Sequence, residues 1–252
     1  ISQTSDPKHV LHDRSYNWVS RITGEMTARA TESYHDGTVD VGGRHITYAE
    51  YGSPEGAPVF FFHGTPGSRQ LACLFDKQAA DENIRLLAPE RPGVGHSDPA
   101  ATYGLLDWSH DVAQLVDTLD LDTFGVVGFS GGGPHALAVG AGIEKGHLPR
   151  KKLTGIGLVA GTGPPDAPQG DINFSNRVLG VAVRSSPRIA NGLFKFGSWI
   201  AHRRGPAATI GLYSDRPVGE DEKNISPKTA RVVHQDYCEA FQQGTGYVVR
   251  DS

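Results

Sequence analysis

One serine stands in a glycine-rich segment where few other side chains could do chemistry. Ser130 lies in GFSGGGP, between an apolar run typical of a strand and a run of small residues typical of a helix. Gly128, Phe129, Ser130, Gly131 and Gly132 match G-x-S-x-G, a sharp strand-to-helix turn that lifts the serine hydroxyl above a sheet. The helix that starts there points its first N–H groups at any developing negative charge. We therefore predict that Ser130 is a nucleophile.

Two phosphate-binding interpretations of this turn fail. A dinucleotide fingerprint requires glycine where Ser130 stands, and a P-loop requires Gly-Lys-Ser/Thr, which the segment lacks. A merely tight turn is the remaining structural alternative, and the strand–turn–helix context argues against it.

A second segment, FFFHGTPGSR, is suited to stabilise an oxyanion. Acyl transfer requires N–H donors directed at the oxygen of the tetrahedral intermediate. In this geometry one donor is the residue after the nucleophile, here Gly131, and the other lies in a loop after an earlier strand, here Thr65. Because His63 precedes that loop, we expect it to make structural hydrogen bonds rather than to act as the general base.

Strand-like apolar runs alternate with helical periodicity up to about residue 165, which predicts an α/β fold with a mostly parallel, doubly wound sheet. Residues 166–246 show helical patterns and no convincing strand, which indicates an inserted all-helical cap. The predicted organisation is an N-terminal extension with one helix carrying Trp18, Ile22 and Met26 (1–36), an α/β core with a hairpin at Gly42-Gly43 (37–165), the cap (166–246) and a return toward the core (247–252).

Apolar residues mark the two clearest cap helices. One carries Ile189, Leu193, Phe196 and Ile200, and the other opens at Ser226-Pro227. Phe194, Phe196 and Trp199 would suit an apolar substrate group, but packing of the cap against the core is the favoured interpretation for each of them.

The segments HGTPGSR, ERPGVGHSD and GFSGGGP, in this order and spacing, resemble the α/β-hydrolase fold superfamily over residues 37–246. The resemblance is to the serine-nucleophile branch with a helical cap, which includes esterases and prolyl aminopeptidases. It implies that Glu90, Arg91 and Ser97 satisfy backbone groups and do not react. Dehalogenases and epoxide hydrolases of the superfamily carry aspartate at the position of Ser130, which argues against both activities.

The resemblance also implies that a carboxylate and then a histidine follow the nucleophile. Asp166 is the first carboxylate after the strand at 153–160, and it is a weak candidate for the acid. None of the downstream histidines occupies the expected place: His135, His147, His202 and His234. The base and the acid therefore stay unassigned, and we expect the C-terminal strands that would carry them to lie beyond Ser252.

Three functions remain open at this stage. A carboxylic-ester hydrolase ranks first, by analogy of fold. A prolyl aminopeptidase ranks second, because this chain has HGTPG where that class has HGGPG. Such an enzyme would also need carboxylates to hold the substrate ammonium, and Asp236 and Glu239 on one cap helix are the candidates. A hydrolase-like binding protein without catalysis is the third.

Composition narrows the classes of partner. A net charge of -4 does not indicate nucleic-acid binding. No apolar run approaches the roughly 20 residues that span a bilayer. Cys73 and Cys238 have no metal-ligand spacing, so we expect a reducing cytoplasm, no metal and no cofactor. The expected partners are a small-molecule ester or amide substrate and a complementary C-terminal segment of the same protein.

Overall fold

A computed structural model describes residues 35–149, 152–163, 180–181, 185–213 and 225–247. The predicted N-terminal helix around Trp18–Met26 and the candidate acid Asp166 lie outside these residues.

Within the described residues, the strands form one mixed sheet in the order β1-β2-β4-β3-β5-β6. Strand β2 pairs antiparallel with both β1 and β4, whereas β4, β3, β5 and β6 run parallel. The strands are β1 (His35–Val41), β2 (Arg44–Gly52), β3 (Ala57–Phe62), β4 (Ile84–Pro89), β5 (Phe124–Phe129) and β6 (Leu153–Val159).

Helices cover both faces of this sheet, as the alternation of patterns predicts. The stretch with Leu71, Leu74 and Phe75 forms a 3-10 helix, which the Ser68 hydroxyl caps by accepting a hydrogen bond from the Gln70 N–H. The helices are a 3-10 helix (Arg69–Phe75), α1 (Asp76–Asp81), α2 (Asp107–Thr118), α3 (Gly132–Glu144), α4 (Pro187–Tyr213) and α5 (Pro227–Ala240).

Strand β3 is buried on both faces, which explains its unbroken apolar sequence. Phe60 and Phe62 pack in one hydrophobic cluster with Trp108 of α2, and Phe61 packs in the cluster on the opposite face. Packing on both faces holds β3 in place, and with it the start of the loop that follows the strand.

Strand β6 lies at the edge of the described sheet. The sequence reads as a strand covered on both faces, but Ile156, Leu158 and Val159 are exposed, Leu158 by 50%. Among the described residues β6 pairs with β5 alone, so it forms the edge of the described sheet.

Helices α4 and α5 pack together and onto the core in the region predicted as a helical cap. Helix α4 bends at Gly205, whose φ is 76°, directly before Pro206. Helix α5 begins as predicted at Ser226-Pro227, and the Ser226 hydroxyl accepts a hydrogen bond from the Thr229 N–H. Phe194 and Tyr237 form a hydrophobic cluster with Val94, which the core contributes from the segment after β4.

Candidate active site

The turn between β5 and α3 holds Ser130 in a left-handed backbone conformation, with φ at 50°. Its N–H donates to the Val159 carbonyl at 2.9 Å. Its own carbonyl accepts hydrogen bonds from the N–H groups of Gly133 and Thr162, at 3.0 and 3.1 Å. A non-glycine residue at positive φ is strained, and here backbone hydrogen bonds on two sides maintain the strain.

The glycines around Ser130 are required by close backbone contacts. A Cβ on Gly132 would collide with the Phe62 carbonyl oxygen and would lie 2.8 Å from that of His63. A Cβ on Gly128 would lie 2.5 Å from the Gly132 carbonyl oxygen. Strand β3, strand β5 and helix α3 therefore approach too closely for any side chain at these two positions.

The same close approach brings the Thr65 loop, residues 63–67, against the turn. A Cβ built on Gly131 would lie 3.0 Å from the Thr65 backbone nitrogen, and one on Gly64 would lie 3.3 Å from the Ser130 Cβ. The Thr65 backbone nitrogen thus lies beside Gly131, and the loop packs against the Ser130 side chain. An oxyanion hole requires two N–H donors close to the nucleophile.

Arg91 fixes the Thr65 loop from the core side. Its guanidinium donates to the carbonyls of His63 and Gly64 at 2.7 and 3.0 Å, and to the Thr65 hydroxyl at 2.9 Å. The side chain is almost fully buried, so these bonds are made away from competing water. Ser97 likewise donates to the Glu90 carbonyl. Both residues satisfy backbone groups, as the sequence predicts.

His63 is a structural residue at the base of this loop. It is completely buried, and its Nδ1 donates to the Gly64 carbonyl at 2.9 Å. Burial, together with the positive charge of Arg91, lowers the pKa of His63 well below its ordinary value, so the ring is neutral. His135 on α3 donates from Nδ1 to the Gly131 carbonyl.

The other histidines considered from the sequence are also engaged elsewhere. His147 bonds with Ser109 at 2.6 Å, His202 with the Ser198 carbonyl, and His234 with the Thr209 hydroxyl. Among the described residues, no histidine forms a hydrogen bond with the Ser130 hydroxyl. The structure therefore brings Ser130, Thr65 and Gly131 together and adds no base to them from the described part of the chain.

An ion cluster centred on the buried Arg69 and Glu90 joins α5 to the core directly after the Thr65 loop. Arg69 donates to Glu90 at 2.7 Å and to Glu239 of α5 at 2.6 Å, and it also pairs with Asp36 of β1. His96 lies 3.1 Å from the same Glu239 oxygen. Burial raises the pKa of Glu90, and the Arg69 charge opposes that rise.

Asp236, three residues before Glu239, makes a second attachment. Its Oδ1 accepts hydrogen bonds from the Ser68 N–H, the Ser68 hydroxyl and the Leu71 N–H, at 2.7, 2.9 and 3.2 Å. Burial raises its pKa to about 7, while the hydrogen bonds from Ser68 and Leu71 act in the opposite direction. Asp236 and Glu239 do lie on one face of α5, but that face meets the core.

Sequence reasoning missed Arg69 and the role of these two acids. The position of Arg69, two residues after HGTPG, could have indicated this cluster. An arginine that is buried there needs a carboxylate partner. The three cap aromatics differ in burial. Phe194 is buried, as the packing interpretation predicts. Phe196 and Trp199 are 60% and 54% exposed and stack on each other, so the packing interpretation is wrong for them.

The described residues contain neither a metal-binding cluster nor a membrane-spanning helix. No cluster of three or more His, Cys, Asp or Glu side chains there is placed to hold a metal ion. No helix in the same part of the chain is long and apolar enough to cross a membrane.

Known proteins match the region that contains this site. Residues 57–145 match the family described as the alpha/beta hydrolase fold. The dihydrolipoyllysine-residue acetyltransferase component of the acetoin cleaving system of Pseudomonas putida is 30% identical over 157 residues, which cover 60% of this chain and 40% of that protein. A probable proline iminopeptidase of Streptomyces coelicolor is 35% identical over 94 residues, 35% of this chain and 28% of that protein.

The chain thus spans 40% or less of the length of these two relatives. A solved carboxylesterase structure from the thaumarchaeon Nitrososphaera gargenis superposes with a TM-score of 0.55 at 14% identity, covering 86% of this chain and 71% of that one. An identity this low shows a shared fold and nothing about substrate. The superposition and the sheet order agree with the partial family match, and the described part of this chain has the α/β-hydrolase fold.

Proposed function

We propose that the protein is a serine hydrolase that cleaves a carboxylic ester, or a related acyl bond, through an acyl-enzyme on Ser130. The observation that supports this most directly is the strained Ser130 backbone, at φ 50°, beside the N–H groups of Thr65 and Gly131. Strain of this kind costs about 1–3 kcal/mol and persists where the surrounding structure enforces it, as functional turns do.

In the proposed reaction, the Ser130 oxygen attacks the acyl carbon while a general base takes the hydroxyl proton. The substrate carbonyl oxygen becomes an oxyanion, which the N–H groups of Thr65 and Gly131 bind. Collapse of the intermediate breaks the bond to the alcohol, which leaves with the proton from the base. Water then repeats the sequence on the acyl-serine and releases the carboxylic acid. The base and its carboxylate come from outside the described residues in this proposal.

A prolyl aminopeptidase is the second candidate because a probable proline iminopeptidase matches 94 residues of the chain. That activity would require free carboxylates for the substrate ammonium. Asp236 and Glu239, the acids considered for this purpose, are bound to Ser68 and Arg69. Their engagement favours the esterase over the peptidase.

The test compares turnover of p-nitrophenyl butyrate and proline p-nitroanilide by the intact protein. We expect ester hydrolysis to dominate and Ser130→Ala to lower kcat by at least about 10⁴-fold, since loss of a nucleophile removes covalent catalysis. Ser198→Ala, a change of the same kind on α4, is the matched control and should leave kcat unchanged. Retained activity in Ser130→Ala, or turnover of neither substrate by the natural protein, would refute the proposal; the latter would favour a binding protein.

A further inference from the structure

The Thr65 loop is attached on two sides, and one side is the cap. Arg91 of the core holds the first half through the carbonyls of His63 and Gly64. Asp236 of α5 holds the turn that follows the second half, through the N–H and hydroxyl of Ser68. Thr65 therefore lies between a core attachment and a cap attachment.

The cap attachment lies against the loop itself. A Cβ on Gly67 would lie 3.3 Å from Asp236 Oδ2 and 3.1 Å from the Gly64 carbonyl oxygen, so the carboxylate packs against the loop backbone with no space between them. A second cap contact reaches the loop from α4, where the Tyr213 hydroxyl donates to the Pro66 carbonyl at 3.3 Å. Both cap helices thus contact the segment that carries the Thr65 N–H.

The chemistry of this contact is strong enough to fix a backbone. One carboxylate oxygen accepts three donors from Ser68 and Leu71, and the residue is only 2% exposed. Hydrogen bonds made in a buried environment are electrostatically stronger than in water, and the two from Ser68 are fully buried. A shift of α5 would therefore carry the Ser68 turn with it.

We propose that Asp236 is a positioning residue, through which the cap helix α5 sets the orientation of the Thr65 N–H toward the oxyanion. This inference rests on the proposed function, because it assigns a role in the same acyl transfer. Asp236 does not touch substrate. It acts through Ser68 and the loop, so that the oxyanion hole has its full geometry only while α5 is docked.

The test measures kcat per reactive serine, with p-nitrophenyl butyrate as substrate and a fluorophosphonate titrating the active sites of the same sample. Asp236→Ala removes the acceptor and should lower kcat per titrated site by about 10²-fold, since a misplaced oxyanion donor costs roughly that much, with KM changed little. Asp236→Asn keeps a carbonyl oxygen in place and should restore kcat to within a few-fold of the natural protein. Gln235→Ala, exposed on the same helix, is the control and should change neither value.

Each outcome bears on a different claim. If Asp236→Ala lowers the titratable fraction while kcat per site stays unchanged, Asp236 only stabilises the fold and the inference is wrong. If the natural protein is not labelled at all, the proposed function fails and the inference with it. Should Asp236→Ala not fold, Ser68→Ala removes one of the three bonds from the loop side. It should lower kcat per site with the same small effect on KM, and an unchanged value would overturn the positioning role.

Discussion

The Ser130 turn and the attachment of α5 border the same Thr65 loop but are held by different interactions. At the turn, glycines allow strand β3 and helix α3 to touch through their backbones, and a Cβ on Gly132 has no space. At the attachment, long charged side chains meet in a buried cluster around Arg69. The first region depends on the absence of side chains and the second on their charge, so different substitutions should damage them.

The largest effect is expected at the turn. Gly132→Val places three carbons where the Phe62 and His63 carbonyls already lie, and the backbone of β3 cannot yield without disrupting the sheet. We expect little or no folded protein, measured as loss of the cooperative urea transition. Gly192→Val, at a helix glycine with open space around it, is the matched control and should keep that transition. A normal transition in Gly132→Val would show that the turn is looser than described.

The next largest effect is expected in the ion cluster. Arg69→Met leaves Glu90 buried without its cation, and loss of one partner of a buried pair costs about 3–5 kcal/mol. Lys77→Met, which breaks the exposed pair with Asp81, should cost under about 1 kcal/mol. Urea unfolding of both variants gives the comparison, and equal losses would mean that the cluster around Arg69 behaves like an ordinary surface pair.

Much of the turn could be predicted from sequence, and little of the attachment could. The Ser130 turn is local: its strand, glycines and helix are consecutive, so spacing alone defines it. The Thr65 loop and the Ser130 turn are distant in the chain, so spacing alone does not place them together. The resemblance to a known family predicted that they meet. The bond between Ser68 and Asp236 joins residues 168 positions apart, and no periodicity on α5 shows that the face with Asp236 and Glu239 meets the core.

The exposed cap face illustrates the same limit. The stripe with Ile189, Leu193 and Phe196 has regular helical spacing, yet these side chains are exposed, and α4 packs instead through Ala190, Phe194 and Ala201. Small residues allow closer helix contact, so they can form the buried face even where larger apolar residues lie on the other side. The spacing of these residues marks the helix but does not show the face by which it packs.

A smaller effect of the attachment should be visible as pH dependence. The carboxyl of Asp236 has a pKa of about 7 in the folded protein and 3.8 as its ordinary value. As pH rises from 5 to 8, the folded state alone releases this proton, so the unfolded state binds fewer protons and stability falls, by about 2–3 kcal/mol.

Asp236→Asn carries no such proton and should lose less stability over the same interval. Glu90, whose pKa is also raised, is present in both proteins, so the difference between them isolates Asp236. Urea midpoints at pH 5 and pH 8 give the result. Parallel changes in the two proteins would contradict a buried, proton-holding Asp236.

The smallest effect on stability is expected at Ser130 itself. Ser130→Ala retains the left-handed backbone and its bonds to Val159 and Thr162, so we expect its free energy of unfolding to stay within about 0.5 kcal/mol of the natural value. The thermal unfolding midpoint measures this. A large loss would mean that the hydroxyl stabilises the fold, and any loss of activity in this variant would then need another explanation.

Covalent labelling would show whether Ser130 is an activated nucleophile. The intact protein is treated with a fluorophosphonate, digested and examined by mass spectrometry, with heat-unfolded protein as the control for non-specific reaction. We expect one adduct, on the peptide that contains Ser130, and none on that peptide after unfolding or in Ser130→Ala, because only a serine with a base and an oxyanion hole reacts rapidly. An unmodified Ser130 peptide in the folded protein, or an adduct on a different serine, would contradict it.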